Sequence, residues 1–203
     1  MDNDKQHRII GVCTTVCRFI LAVVFIFSGF VKAIDPLGTQ YKIQDYMVAF
    51  GWADMFPASL AFGGAVLLGL LEFCLGVYLF FGIRRIIAPR VTVLMMSIMT
   101  PLTLWLALDN PITDCGCFGD AIILSNWATF WKNIVLDALI IILWILQKRL
   151  YRAWLTPFPS WILTITFSLI TIGVGIHSLN NLPFIDFRPY KIGNDILKGM
   201  ELP

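Results

Sequence analysis

Charge is what this chain has least of. Of its 203 residues only 14% are Asp, Glu, Lys or Arg, where an average soluble domain carries roughly 25%. The net charge of +2 is too small to draw a nucleic acid, and the basic residues gather at the ends of apolar runs, where they report topology. Histidine is scarcer still: His7 and His177 stand far apart, so no histidine-based metal site assembles and no metal is expected. Missing too is any polar stretch long enough to fold as a soluble domain. What remains is 58% apolar residues and a mean hydropathy of +0.80. A water-exposed fold cannot hide that much apolar surface. A lipid bilayer accepts it if every backbone N–H and C=O is paired, and long unbroken apolar runs favour helices over strands.

Five such runs appear: about Ile9 to Ile34, Pro57 to Gly82, Ala88 to Leu108, Trp127 to Gln147 and Phe158 to Leu179. Each is close to or above the ~20 residues needed to cross ~30 Å of hydrocarbon at 1.5 Å per residue. The expected fold is therefore an all-α membrane protein, with a four-helix transmembrane bundle over residues 1–150, a fifth helix over 151–179 and a short exterior tail over 180–203. Basic residues set the orientation. Lys5, Arg8, Arg84, Arg85, Arg90, Lys148, Arg149 and Arg152 fall on one side; Lys32, Lys42, Arg188, Lys191 and Lys198 fall on the other. The richer side, with the N-terminus, reads as cytoplasmic. The segments Asp35 to Met55, Asp109 to Asn126 and Asn180 to Pro203 read as exterior, which in a bacterium is the periplasm. A cleaved signal peptide is the rival for the N-terminus, but the run is long for one and ends at Phe30-Val31-Lys32-Ala33, a poor cleavage site. The chain stops at Pro203 with no obvious terminal element, as a trimmed chain would.

Small residues interrupt the spans: Ser28 and Gly29 in the first, Gly63, Gly64, Gly69 and Gly76 in the second, Gly173 and Gly175 in the fifth. They let helix backbones approach, which is how bundles associate in lipid. Pro101 should kink the third span, with Thr100 and Thr103 near the freed carbonyls.

The most specific motif is Asp114-Cys115-Gly116-Cys117-Phe118-Gly119-Asp120, between the third and fourth spans. Two cysteines one residue apart can close a small strained ring, and strained disulfides are oxidising and exchange-prone. An exterior compartment permits the bond. Against this, Asp114 and Asp120 should disfavour a thiolate and no Lys or Arg lies within the loop to stabilise one. The plain alternative is a static disulfide or a pair of idle thiols. Cys13, Cys17 and Cys74 read as small apolar fillers; Cys13 and Cys17 lie on the wrong side to exchange with the loop, so a transmembrane electron path would need a quinone or another protein.

Ionisable groups inside the spans are expensive in lipid and normally face a partner or a wet cavity. Arg18, Glu72 and Asp137 lie roughly 10, 15 and 15 Å from the cytoplasmic boundary by their rise. Arg18 is therefore expected to approach Glu72, Asp137 or both, with snorkelling to the interface as the alternative. Nearer the exterior, Lys32, Lys132 and Asn133 are placed to line a vestibule beneath the cysteine loop, although Lys32 could instead cap its own helix C-terminus. The tail from Leu182 to Lys191 mixes aromatics with basic residues, suiting an interface belt or a docking segment.

The pattern Arg18…Ser28-Gly29-Phe30-Val31-Lys32, Glu72 with Gly76, and Cys115-Gly116-Cys117-Phe118-Gly119 resembles the DoxX/MauE superfamily of small bacterial membrane proteins, its redox-associated MauE-like branch most closely. The likeness covers roughly the first 150 residues. It implies a four-helix bundle tied to thiol redox chemistry: MauE-like proteins are linked to disulfide formation in an exported dehydrogenase, and DoxX relatives to a thiosulfate:quinone oxidoreductase. The leading expectation is then an inner-membrane thiol–disulfide redox component. Cys115 and Cys117 would exchange with an exported partner, and the bundle would hold a quinone-like or lipid ligand. The second reading is a non-enzymatic subunit or assembly factor whose exterior loop and tail hold a partner; a homo-oligomer is a separate possibility. The third is a small-molecule transporter along Arg18, Glu72 and Asp137, ranked last because no inverted repeat is evident.

Overall fold

The computed structural model describes residues 2–150, 160–181, 183 and 185–187, with side chains described from Ile9 to Leu146 and from Ser160 onward within these. Among the described residues six α-helices run in order: α1 Asp2–Ile34, α2 Pro36–Ala49, α3 Ala58–Phe81, α4 Ile87–Asp109, α5 Asn126–Leu150 and α6 Ser160–Asn180. Among the described residues there is no strand. Five stretches are long and apolar enough to cross a membrane: Ile9–Ile34, Ala58–Phe81, Ile87–Asp109, Asn126–Leu146 and Ser160–Asn180. The fifth begins within the expected 151–179 segment, whose residues 151–159 lie outside the described ones, as does most of the Leu182 to Lys191 tail.

α1 shows how one apolar helix serves two environments. Ile9, Val12, Val16, Ile20 and Val23 recur every three or four residues and stay exposed, forming a stripe that only lipid can cover. The opposite stripe, Cys17, Leu21, Phe25, Ser28 and Lys32, is buried. Leu21 and Phe25 meet Leu75 and Leu79 of α3, Met96 of α4, and Leu136, Ile140 and Leu143 of α5 in one continuous core. The bundle proper is thus α1, α3, α4 and α5. α6 lies against the outside of α3, where Tyr78 bonds Thr164 at 2.5 Å and Phe167 packs on Phe73 and Phe81; Thr171 is its one buried residue among those described.

The α1–α3 contact is made by backbone. A Cβ on Gly29 would run into the Phe73 nitrogen, and one on Gly76 would stand 2.5 Å from the Ile26 nitrogen. Only hydrogen fits at either point, so this pair of glycines fixes how closely, and at what register, the two helices cross. α4 stays helical from Ile87 to Asp109 across Pro101.

One element differs from the sequence reading, which treated Asp35 to Met55 as a plain connection. Most of it is α2. Asp35 caps it by accepting the Gly38 N–H at 2.9 Å, and Pro36 stands at its first turn, where its missing N–H costs nothing. At 14 residues the helix is too short to span, and it lies beside the cysteine loop.

Candidate functional site

The glycine contact between α1 and α3 places Ser28 and Lys32 of one helix against Glu72 of the other. Lys32 and Glu72 are both buried, and their charged atoms are 2.8 Å apart. An ammonium has three protons to place, and Lys32 has three acceptors: Glu72 Oε2 at 2.8 Å, Ser28 Oγ at 2.8 Å and the Cys117 carbonyl oxygen at 2.6 Å. Ser28, having accepted from Lys32, has one proton left. Glu72 Oε2 at 2.7 Å and the Cys117 carbonyl at 2.6 Å both lie within its reach. An ion pair buried in the bundle therefore grips the backbone of the second cysteine.

The loop carrying that cysteine is held at every side. Asn126, at the start of α5, donates to Asn110 Oδ1 and to the Ile112 carbonyl, at 2.7 and 2.8 Å, drawing the two ends of the loop together. Asp114 takes the Gly116 N–H on one carboxylate oxygen, at 3.0 Å, and Lys42 of α2 on the other, at 2.5 Å. Tyr46, one turn further along α2, donates to the Cys115 carbonyl at 3.1 Å. Gly116 makes the tight turn between the cysteines at φ +68°, a conformation that penalises side chains. As a result the two sulfurs face each other 2.7 Å apart. Both cysteines are free thiols, Cys115 buried and Cys117 half-buried.

Their surroundings make them unequal. The Cys117 thiol is pulled down to about 6, chiefly by the hydrogen bond from the Cys115 thiol, with Lys132 and Lys32 attracting the thiolate against the penalty of burial. The Cys115 thiol is pushed up, first because it donates that bond and then by its own burial. Burial and the neighbouring thiols likewise raise the Tyr46 phenol. No Lys or Arg lies within the loop itself, but Lys32 and Lys132, expected to line a vestibule beneath it, act on the Cys117 thiol from the helices below, and Asp114, expected to oppose a thiolate, has its charge met by Lys42.

Lys132 stands with its Nζ 4.4 Å from the centre of the Phe118 ring. With Asn133 it lines a small cavity of about 40 Å³ that also touches Ser28, Glu72 and Cys117. Asn133 donates to Thr103 of α4 at 3.2 Å, and Asp137 accepts from Thr100 at 2.7 Å. Arg18 was expected to approach Glu72, Asp137 or both, and the bonds that hold Glu72 come from further along α1. Glu72 is bonded to Ser28 and Lys32, ten and fourteen positions further along α1, and ten residues of helix span roughly 15 Å. Arg18 is buried, with its guanidinium 5.0 Å from the Phe19 ring. Among the described residues no His, Cys, Asp and Glu grouping could hold a metal. Sequence reasoning missed Ser28 as a polar partner, although its i, i+4 spacing to Lys32 was visible, and missed Lys42 and Tyr46 because their helix was not foreseen.

A second cavity, of about 210 Å³, lies between α2, α3, α4 and the loop, with both cysteines in its wall.

A helical membrane protein whose bundle core grips a paired-thiol loop is the class these features define. The family model described as methylamine utilisation protein MauE matches residues 10–146, well over half of the chain, and the chain belongs to that family. No curated protein and no solved structure matches it.

Proposed function

We propose that this protein is a thiol–disulfide redox component of the bacterial inner membrane, with its N-terminus cytoplasmic and the Cys115/Cys117 loop and C-terminus periplasmic. Its partner is an exported protein that acquires disulfides while maturing, and the family's description makes methylamine utilisation the setting. The observation that carries the reading is the pair of sulfurs 2.7 Å apart beside two ammonium groups that favour one of them as thiolate.

The exchange balances without a further reagent. A partner thiolate attacks one sulfur of the oxidised loop, the Cys115–Cys117 bond breaks, and the expelled sulfur leaves as a thiolate. The half-buried Cys117 is the more accessible of the two sulfurs. The partner's second thiol, losing its proton, then attacks the mixed disulfide. The partner gains a disulfide, and the loop gains two electrons and becomes a dithiol.

The test is to trap mixed disulfides in cells carrying Cys115→Ser or Cys117→Ser, alongside a redox titration of the purified wild type in glutathione buffers. A working couple yields a defined exported protein from a single-serine variant and none from the double variant. Its potential lies above the roughly −300 mV below which structural disulfides in exported proteins sit. A pair that captures nothing, resists reduction below that value and lowers the melting temperature when mutated is a staple, and the reading fails.

A further inference from the structure

The exchange described above expels one sulfur of the loop as an anion, and the fold fixes where that anion stands. Attack on the more accessible Cys117 leaves the charge on Cys115, which is buried against Leu106 and Ile112, with Trp105 packed alongside. A thiolate in such surroundings is costly unless a donor meets it. We infer that Tyr46 is that donor: its hydroxyl protonates the Cys115 sulfur as the Cys115–Cys117 bond breaks, which makes it a catalytic residue of the exchange. The inference deepens the redox reading and rests on it.

Placement carries the assignment. Tyr46 stands on α2, outside the five membrane-crossing stretches, and packs on the same cluster as both cysteines. Its hydroxyl lies 3.1 Å from the Cys115 carbonyl oxygen and within hydrogen-bonding reach of the Cys115 sulfur. One phenolic proton cannot serve both acceptors fully. While the disulfide is closed its sulfur accepts weakly, and the carbonyl holds the proton. Once the bond opens, the charged sulfur is the stronger acceptor and draws the proton across. Tyr46 also lines the cavity of about 210 Å³ that has both cysteines in its wall, so the hydroxyl and the attacked bond share one space.

The other proton carriers around the loop are engaged. Lys32 places its three protons on Glu72, Ser28 and the Cys117 carbonyl. Lys42 is paired with Asp114. Lys132 stands over the Phe118 ring, in the small cavity walled by Cys117 and not by Cys115. Burial and the neighbouring thiols raise the Tyr46 phenol, so it keeps its proton ready across the physiological range. The raised Cys115 thiol means that the expelled sulfur is basic enough to take it.

The balance closes. The partner thiolate bonds to the Cys117 sulfur, the S–S electron pair goes to Cys115, and the Tyr46 proton follows it. The partner's second thiol gives its proton to the Tyr46 phenolate and attacks the mixed disulfide, expelling Cys117 as the thiolate that Lys132 and Lys32 favour. Tyr46 ends as it began.

The test is reduction of the oxidised, purified full chain by dithiothreitol, timed in light and heavy water at equal thiolate fraction. Tyr46→Phe keeps the ring and removes the hydroxyl. It should exchange at least about tenfold more slowly, since a positioned general acid contributes typically about 10²–10⁴-fold, with its melting temperature close to that of the wild type. The wild type should show a solvent isotope effect larger than that of the same thiol on glutathione disulfide, where no acid is positioned, and Tyr46→Phe should lose the excess. Lys42→Met, which cuts the loop's other tie to α2, should keep it. A wild type without the excess, a Tyr46→Phe protein that exchanges at the wild-type rate, or an excess lost equally in Lys42→Met would each show that Tyr46 only holds the loop, and the redox reading would stand. A wild type that dithiothreitol does not reduce, so that no exchange occurs at all, overturns the redox reading and the tyrosine with it.

Discussion

A buried ammonium is tolerable only when its protons and its charge are both met, and Lys32 satisfies the two conditions through Glu72, Ser28 and the Cys117 carbonyl. Removing one member strands the other. Lys32→Met should destabilise the bundle by about 3 kcal/mol, and Lys32→Met combined with Glu72→Met should recover much of that loss, because an apolar pair of similar volume leaves no uncompensated charge. Unfolding in mixed micelles measures both, and strictly additive losses would show that the residues do not meet. The thiols give a second expectation. With its pKa lowered to about 6, Cys117 is the thiolate above that pH, whereas an ordinary thiol ionises near 8.5. Alkylation of reduced protein by a small reagent, located by peptide mass, should therefore rise through pH 6 at Cys117, and Lys132→Met should move the midpoint upward. A midpoint above 8 in the unaltered protein would remove Lys32 and Lys132 from the chemistry. Cys115, Cys117, Lys32 and Glu72 were legible in the sequence, since charges inside apolar runs and a Cys-Gly-Cys turn are rare and costly. The pairing was not. Counting residues from a boundary gives depth along the membrane normal and nothing about which way a side chain points around its helix, so the pairing of Lys32 with Glu72 was not drawn from it.

Between elements, the crossing of α1 and α3 sets everything else, because it carries Ser28 and Lys32 to Glu72. Gly76→Val would push a branched side chain into the backbone of Ile26 and force the helices apart. We expect it to lower the melting temperature and to raise the Cys117 alkylation midpoint together, since Lys32 would lose its hold beneath the loop. Gly63→Ala is the control. Nothing lies within 4 Å of its added methyl, and alanine for glycine inside a helix is worth up to about 1 kcal/mol in the stabilising direction. A Gly76→Val protein with an unshifted midpoint would uncouple the crossing from the thiols. The spans were readable from apolar length alone, because lipid demands helices of that length. α2 was not, because a 14-residue helix beside the loop needs no long apolar run. Its signal was local, the Asp35-Pro36 start, and it was passed over in a segment read as connection.

At the scale of the whole molecule the property to test is orientation. Arg84, Arg85 and Arg90 cluster in and beside the α3–α4 connection, at the opposite end of α4 from the cysteine loop. Positive charge in short connections stays cytoplasmic, so the cysteine loop should face out. Direct labelling of Cys115 is a poor test because the residue is buried. Exposed positions serve better: in a cysteine-free background, Thr113→Cys reports the cysteine loop and Ile86→Cys the α3–α4 connection, both exposed. A membrane-impermeant maleimide applied to intact spheroplasts should label the first at once and the second only after the membrane is opened. The reverse order would invert the protein and put the thiols in a reducing compartment, where disulfides are rare, removing the exported partner from the redox reading. Labelling of both from one side would mean that α4 does not cross.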